Sequence, residues 1–220
     1  MDQGSARRPR APRLSNSDRR REIVDAVLEL AREHGPDAIT THAIAERIGV
    51  TQGAVFRHFP DKASIWLAVF AWVRASLDAA LSDAIESAGT PLAKIERAFL
   101  AHAAFVSRHP GVPRMLFHEL QFAGETSVRA AVRATVDGYR RRLAKLFDEA
   151  KREGELPATL DSTLATVLFI GAVQGLVIQS ALAGDDALVR KGASPMLALL
   201  LDGYRNASAR GRSPANERGR

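Results

Sequence analysis

The sequence predicts an all-α protein of about nine helices in two parts. Apolar residues recur at intervals of three and four along nearly all of the chain. Glycine, proline and capping residues cut that pattern into pieces of helical length. There is no convincing alternating strand and no internal repeat.

The first helix is expected to start after Asn16 or Ser17, either of which can cap it, and to bury Ile23, Val27, Leu30 and Ala31. Gly35-Pro36 ends it. Thr40 or Thr41 can cap a short second helix that buries Ile44 and Ile48 and stops at Gly49. Thr51 can cap a third, carrying Val55 and Phe59 and closed by Pro60. Asp61 can cap a long fourth helix, with Ile65, Val69, Trp72, Val73 and Leu77 on one face, running to about Ser87. The composition changes after Gly89-Thr90-Pro91. Further helices are expected over about 92–108, 112–122, 127–152, 161–183 and 194–208, separated by His109-Pro110-Gly111, Gly154 and Pro157 among other breaks.

At 220 residues and 46% hydrophobic, the chain has enough apolar surface for a real core. It has no cysteine, which excludes disulfides, thiolate metal sites and thiol redox chemistry. No uninterrupted apolar run reaches the roughly 18 residues of a membrane span, and no signal-peptide core follows the N-terminal arginines. A cytoplasmic protein without membrane contact is therefore expected. Charge sits at the ends. Residues 1–21 sum to +5 and residues 205–220 to +4, while the whole chain is +6, so the body is mildly acidic. An arginine-rich arm suits phosphate contact, and a solvated tail has the same composition.

The segment ERIGVTQGAVFRHFPDK, residues 46–62, carries the functional signal. Two short helices joined by a tight glycine turn form a helix-turn-helix pattern. The second helix of such a pair presents its N-terminal end to the DNA major groove. In detail, ITTHAIAERIGVTQGAVFRHFPDKASI resembles the TetR family of bacterial regulators. The matching features are Thr40-Thr41, Ile44-Ala45, Gly49-Val50-Thr51, Gly53, the aromatics at 56 and 59 around Arg57-His58, and Lys62. REIVDAVLELAREHG is similar to the family's first helix. The strong resemblance covers about residues 19–70; the remainder agrees only in its helical layout.

The resemblance implies four segments: a basic arm over 1–18, a three-helix DNA-binding domain over 19–65, a ligand-binding and dimerisation domain over 66–208, and a tail over 209–220. It implies double-stranded operator DNA, a second copy of the chain and a small-molecule effector as partners. It implies DNA contacts for Thr41, His42, Gln52, Gly53, Phe56, Arg57, His58 and Lys62. An amide at Gln52 can bond adenine bidentately. Position 56 is Phe where the family usually has Tyr, which removes a hydroxyl that often reaches a phosphate. Arg7, Arg8, Arg10 and Arg13 are either minor-groove contacts or parts of a solvated tail.

Trp66, His102, Phe105, Met115, His118, Phe122, Phe169 and Gln174 are candidates for a ligand pocket, although each taken alone is better suited to an ordinary core or surface position. His102, His109 and His118 are spaced by seven and nine, which is not a local chelate, so no metal and no cofactor is expected. The run FIGAVQGLVIQSALA, residues 169–183, is too apolar for a solvent-facing helix. By resemblance it pairs with PMLALLLDGY, residues 195–204, across a two-fold axis, with Gly171, Gly175, Ile178, Leu197, Leu201 and Tyr204 at the interface. No nucleophile–base pair or phosphate loop can be located, so an enzyme is not expected. The remaining readings are a ligand-responsive transcriptional regulator, most simply a repressor on a pseudo-palindromic operator, and a DNA-binding protein of the same fold with a non-transcriptional role such as division control.

Overall fold

The computed structural model describes residues 15–121, 124–185 and 187–206. The arm arginines 7, 8, 10 and 13, the whole tail over 209–220 and Phe122 lie outside the described residues.

Nine α-helices occur among the described residues: α1 (Asn16–Glu33), α2 (Thr41–Arg47), α3 (Gln52–Phe56), α4 (Lys62–Glu86), α5 (Pro91–Arg108), α6 (Gly111–Gln121), α7 (Ser127–Arg152), α8 (Ser162–Ala183) and α9 (Ala187–Arg205). A single 3-10 turn, Pro36–Ala38, follows α1. The caps explain most of the starts. Thr40, Thr51, Asp61 and Thr90 each accept a hydrogen bond from the backbone N–H three residues on. At α4 the cap is reciprocal: Ser64 Oγ accepts from the Asp61 N–H while Asp61 Oδ1 accepts from the Ser64 N–H.

Two starts differ from expectation. Ser15, not Asn16 or Ser17, caps α1, through its hydroxyl and the Asp18 N–H. Asn16 is drawn elsewhere, to His58. The ninth helix begins at Ala187 rather than near Ser194, and Pro195 lies inside it. Proline removes one intrahelical bond. The turns before it are held by packing: Val189 and Ala193 are buried, and a Cβ on Gly192 would stand 2.8 Å from Leu176 of α8.

α1, α2 and α3 close over Ile23, Val27, Ile39, Ile44, Val55 and Phe59. α4 starts beneath this small domain and continues unbroken into the larger one, where it packs on α5 and α7. The buried apolar side chains form one continuous cluster across both parts. α8 packs on α7 and α9, and α6 packs on α1. α4 and α8 are long enough and, by mean hydropathy, apolar enough to cross a bilayer. In this fold both contribute core residues: Val69, Phe70 and Val73 from α4, and Phe169, Ile170 and Val173 from α8.

Candidate nucleic-acid interface and ligand cavity

The turn between α2 and α3 depends on Gly49, whose φ is +67°, a left-handed conformation that favours glycine. It lets the Val50 N–H return to the Ala45 carbonyl at 2.9 Å. α3 then leaves Thr51 with one face in and one face out. Val55 and Phe59 are fully buried. Gln52, Gly53, Phe56 and Arg57 are exposed, as are His42 and Lys62, while Thr41 and His58 are half-buried. All eight residues predicted for DNA contact therefore retain access to the outer surface. A Cβ added at Gly53 would meet nothing within 4 Å, so packing inside the chain does not demand glycine there. Phe56 is 44% exposed, a large apolar side chain left on a polar face.

The face is held from behind. Gln52 Nε2 donates to Thr41 Oγ1 at 2.6 Å, joining the first residue of α3 to the first residue of α2. His58 Nδ1 lies 2.6 Å from Asn16 Oδ1, so one ring nitrogen is already engaged. The Arg20 guanidinium lies 4.0 Å from the Phe59 ring centroid and donates to the His58 carbonyl. Arg20 thus clamps the end of the recognition segment onto α1. Lys62 Nζ lies 5.4 Å from the Trp66 ring centroid. On the far side of α2, Arg47 bridges Glu33 at 2.6 Å and Glu29 at 3.4 Å. The hydrogen bond from Arg47 holds the Glu33 carboxyl below its usual range.

The larger domain holds a partly open cavity of about 100 Å³ between α4, α5, α6, α7 and α8. Of the predicted pocket residues, His102, Phe105 and Gln174 line it. Four others do not. Trp66 sits one turn into α4, against Lys62. Met115 shares the face of α6 that carries Gly111 and His118, the face toward α1. His118 Nε2 lies 2.9 Å from Asp37 Oδ1. Phe169 packs edge-on against Phe99, Tyr139 and Phe147, behind the cavity wall. His109 lies edge-on to Trp72 and tilted against Phe105, away from the cavity lining that holds His102.

Tyr139 lines the cavity and was missed. Its hydroxyl lies 3.2 Å from His102 Nδ1. The sequence signal was present, since a tyrosine interrupts the apolar stripe of α7 at Val128, Val132, Leu143 and Leu146. Burial pushes the His102 pKa down to about 4, so the ring is neutral at pH 7. Burial raises the Tyr139 pKa well above its ordinary value, with Arg142 acting in the opposite sense.

The predicted interface residues divide. Gly171 and Ile178 are exposed and Gly175 is half-buried, and a Cβ on either glycine would meet nothing within 4 Å. Leu197, Leu201 and Tyr204 are instead buried within the chain, each 7% exposed or less. The Tyr204 hydroxyl donates to the Ala165 carbonyl at 2.8 Å, which turns that face of α9 inward. Leu164, Val167, Leu168, Ile178, Leu182 and Leu199 are the large apolar residues left outside on α8 and α9 among the described residues.

Comparison with known proteins agrees with this geometry. Residues 23–69 match the model for bacterial regulatory proteins of the tetR family. Residues 88–178 match a tetracyclin repressor-like C-terminal domain. Over 167 residues the chain is 30% identical to the nucleoid occlusion factor SlmA of Aliivibrio fischeri strain MJ11, covering 74% of this chain and 83% of that protein. It is 29% identical over 161 residues to SlmA of Vibrio cholerae, covering 72% and 81%. Among solved structures, the regulator FadR of Bacillus subtilis in complex with stearoyl-CoA superposes with a TM-score of 0.71 at 22% identity, covering 83% of this chain and 98% of that one. The ketosteroid regulator KstR2 of Mycobacterium tuberculosis superposes at 0.72 and 20% identity, covering 90% and 99%. At these identities the structural likeness is one of fold. Helix-turn-helix, helical C-terminal domain and sequence relatives converge, and the chain belongs to the TetR family of DNA-binding regulators.

Proposed function

We propose that the protein is a ligand-responsive transcriptional repressor that binds a pseudo-palindromic operator as a homodimer. One observation carries this reading: α6 supplies cavity wall through Val112 and Leu116 and also packs on α1 of the DNA-binding domain. A cavity occupant that moves α6 therefore acts on the element that Arg20 ties to α3. Two recognition helices related by a two-fold axis must sit about 34–36 Å apart to enter successive major grooves. A ligand that favours another spacing weakens DNA binding, and DNA weakens ligand binding by the same factor. Gln52 and Arg57 are the side chains best placed for base edges, and Thr41 and Lys62 for phosphates. Action on the chromosome places the protein in the cytoplasm or nucleoid.

The test is footprinting across the upstream region of the protein's own gene and its neighbours, over a salt series. Protection of a pseudo-palindrome that weakens steeply with salt is expected. No specific site in that search would overturn the repressor reading.

The relatives named SlmA favour a second reading, nucleoid occlusion. Mapping binding across the whole chromosome separates the two. Sites clustered at promoters, with expression changes on deletion, support the repressor. Sites scattered without regard to promoters support the division role.

A further inference from the structure

The cavity wall specifies the chemistry of its occupant, and this inference rests on the ligand-responsive reading above. None of the sixteen side chains lining it carries a formal charge at pH 7. Arg142, the cation that acts on Tyr139, is directed away to Asp78 at 3.4 Å and to Ser82 Oγ at 3.0 Å. A carboxylate or ammonium placed inside would lose its hydration without gaining a counter-ion, a large penalty.

Polar groups are few and their commitments can be followed. Thr135 Oγ1 donates to the Ala131 carbonyl at 2.9 Å. The Tyr139 hydroxyl and His102 Nδ1 are each other's one hydrogen-bond partner among the described residues, and the tautomer with its proton on Nε2 is the one that gives the hydroxyl proton an acceptor there. A neutral imidazole that accepts at Nδ1 carries its proton on Nε2. Nε2 has no hydrogen-bond partner among the described residues, yet no fully buried side-chain nitrogen or oxygen there lacks one. Nε2 therefore keeps accessible surface, and the open space beside His102 is the cavity. On α8, the half-buried amide of Gln174, a second polar residue of the wall, also lacks a hydrogen-bond partner among the described residues. Two unspent polar groups thus belong to an otherwise apolar wall. This is the composition of a site that fixes orientation with polar groups and takes its affinity from apolar burial.

We propose that the cavity binds an uncharged, mainly apolar small molecule carrying one carbonyl or hydroxyl oxygen, held by hydrogen bonds from His102 Nε2 and Gln174. Carboxylates and amines of the same shape are rejected, because neither meets a counter-charge.

Isothermal titration of the full-length protein at pH 7.5, without DNA, tests this with octan-2-one, octanoate and octylammonium. Octan-2-one is expected to bind once per chain, at least tenfold tighter than either charged probe. Gln174→Met and His102→Phe should each weaken octan-2-one binding while the helical circular dichroism is retained. Should His102→Phe fail to fold, Gln174→Met decides alone. A preference of less than tenfold over octanoate, no binding of octan-2-one up to its solubility limit, or unchanged binding by the folded variants would overturn the proposal. Failure to find any operator would remove the repressor reading without altering these titrations.

Discussion

Gln52 and Val55 are three residues apart on α3, one exposed and one fully buried. Replacing Gln52 with Ala removes an exposed side chain whose one hydrogen bond among the described residues goes to Thr41. It is expected to lower operator affinity by about 1–3 kcal/mol if the amide reads a base, with little change in melting temperature. Val55→Asp buries an unpaired charge and should unfold the small domain. Paired melting curves and operator titrations check both, and early melting of the Gln52 variant would mean that its bond to Thr41 matters more than its reach to DNA. His102 gives a pH prediction with a definite sign. Its folded pKa of about 4 lies below the ordinary 6.5, so the unfolded chain takes up the proton first. Stability is full above about pH 6.5 and falls as pH drops toward 4, by up to about 3 kcal/mol from this group. His109 is shifted the same way by burial. The slope that disappears in His102→Phe therefore isolates His102; urea midpoints at pH 7.5, 6.0 and 5.0 on both proteins measure it. At this scale the recognition face was legible because a three-to-four periodicity assigns Val55 and Phe59 inward directly. The partners of His58 and Arg20 were not, since Asn16 and Phe59 are 42 and 39 positions away and no local pattern pairs them.

Elements were the most readable level, and α7 is an instance: its apolar periodicity and the break at Gly154 beyond its end bound the helix to Ser127–Arg152 as expected. α9 was less readable because Ser194-Pro195 has the form of a helix start, and only contact with α8 shows that the helix is already running. The cavity was half legible for a related reason. Periodicity reports that a helix has an apolar face, but not which neighbour that face meets, so Met115 and Phe169 could not be told from true wall residues. α6 approaches α1 closely at Gly111, the most crowded of the described glycines: a Cβ there would stand 2.4 Å from the Ala31 Cβ and 2.6 Å from its backbone carbonyl. Gly111→Val must force the helices apart. A loss of about 1–3 kcal/mol in stability is expected, together with a weaker effect of any cavity ligand on operator binding. Chemical denaturation and operator titration with and without that ligand measure the two effects; unchanged coupling would show that α6 is a support and not a transmitter.

For the whole molecule, the apolar side chains left outside on α8 and α9 and the open space over Gly171 and Gly175 argue for a second copy packed there. Gly175→Leu adds volume where the single chain has room, so the protomer should fold normally while the dimer is disrupted. Sedimentation at micromolar concentration is expected to show a dimer for the natural sequence and a monomer with native helicity for the variant. A natural protein that sediments as a monomer would defeat the assembly. The unbroken 25-residue run of α4 also determines how the protein comes apart. Its first two turns bury Ile65, Trp66 and Val69, and the same helix continues into the larger domain without a linker. A protease finds no exposed hinge at the junction, and a fragment ending at residue 65 loses the cover that Trp66 and Val69 give α1 to α3. Excision of the DNA-binding part should yield an insoluble or unfolded piece unless the cut falls well beyond Val73, so that chimaeras must be joined inside a helix, in helical register.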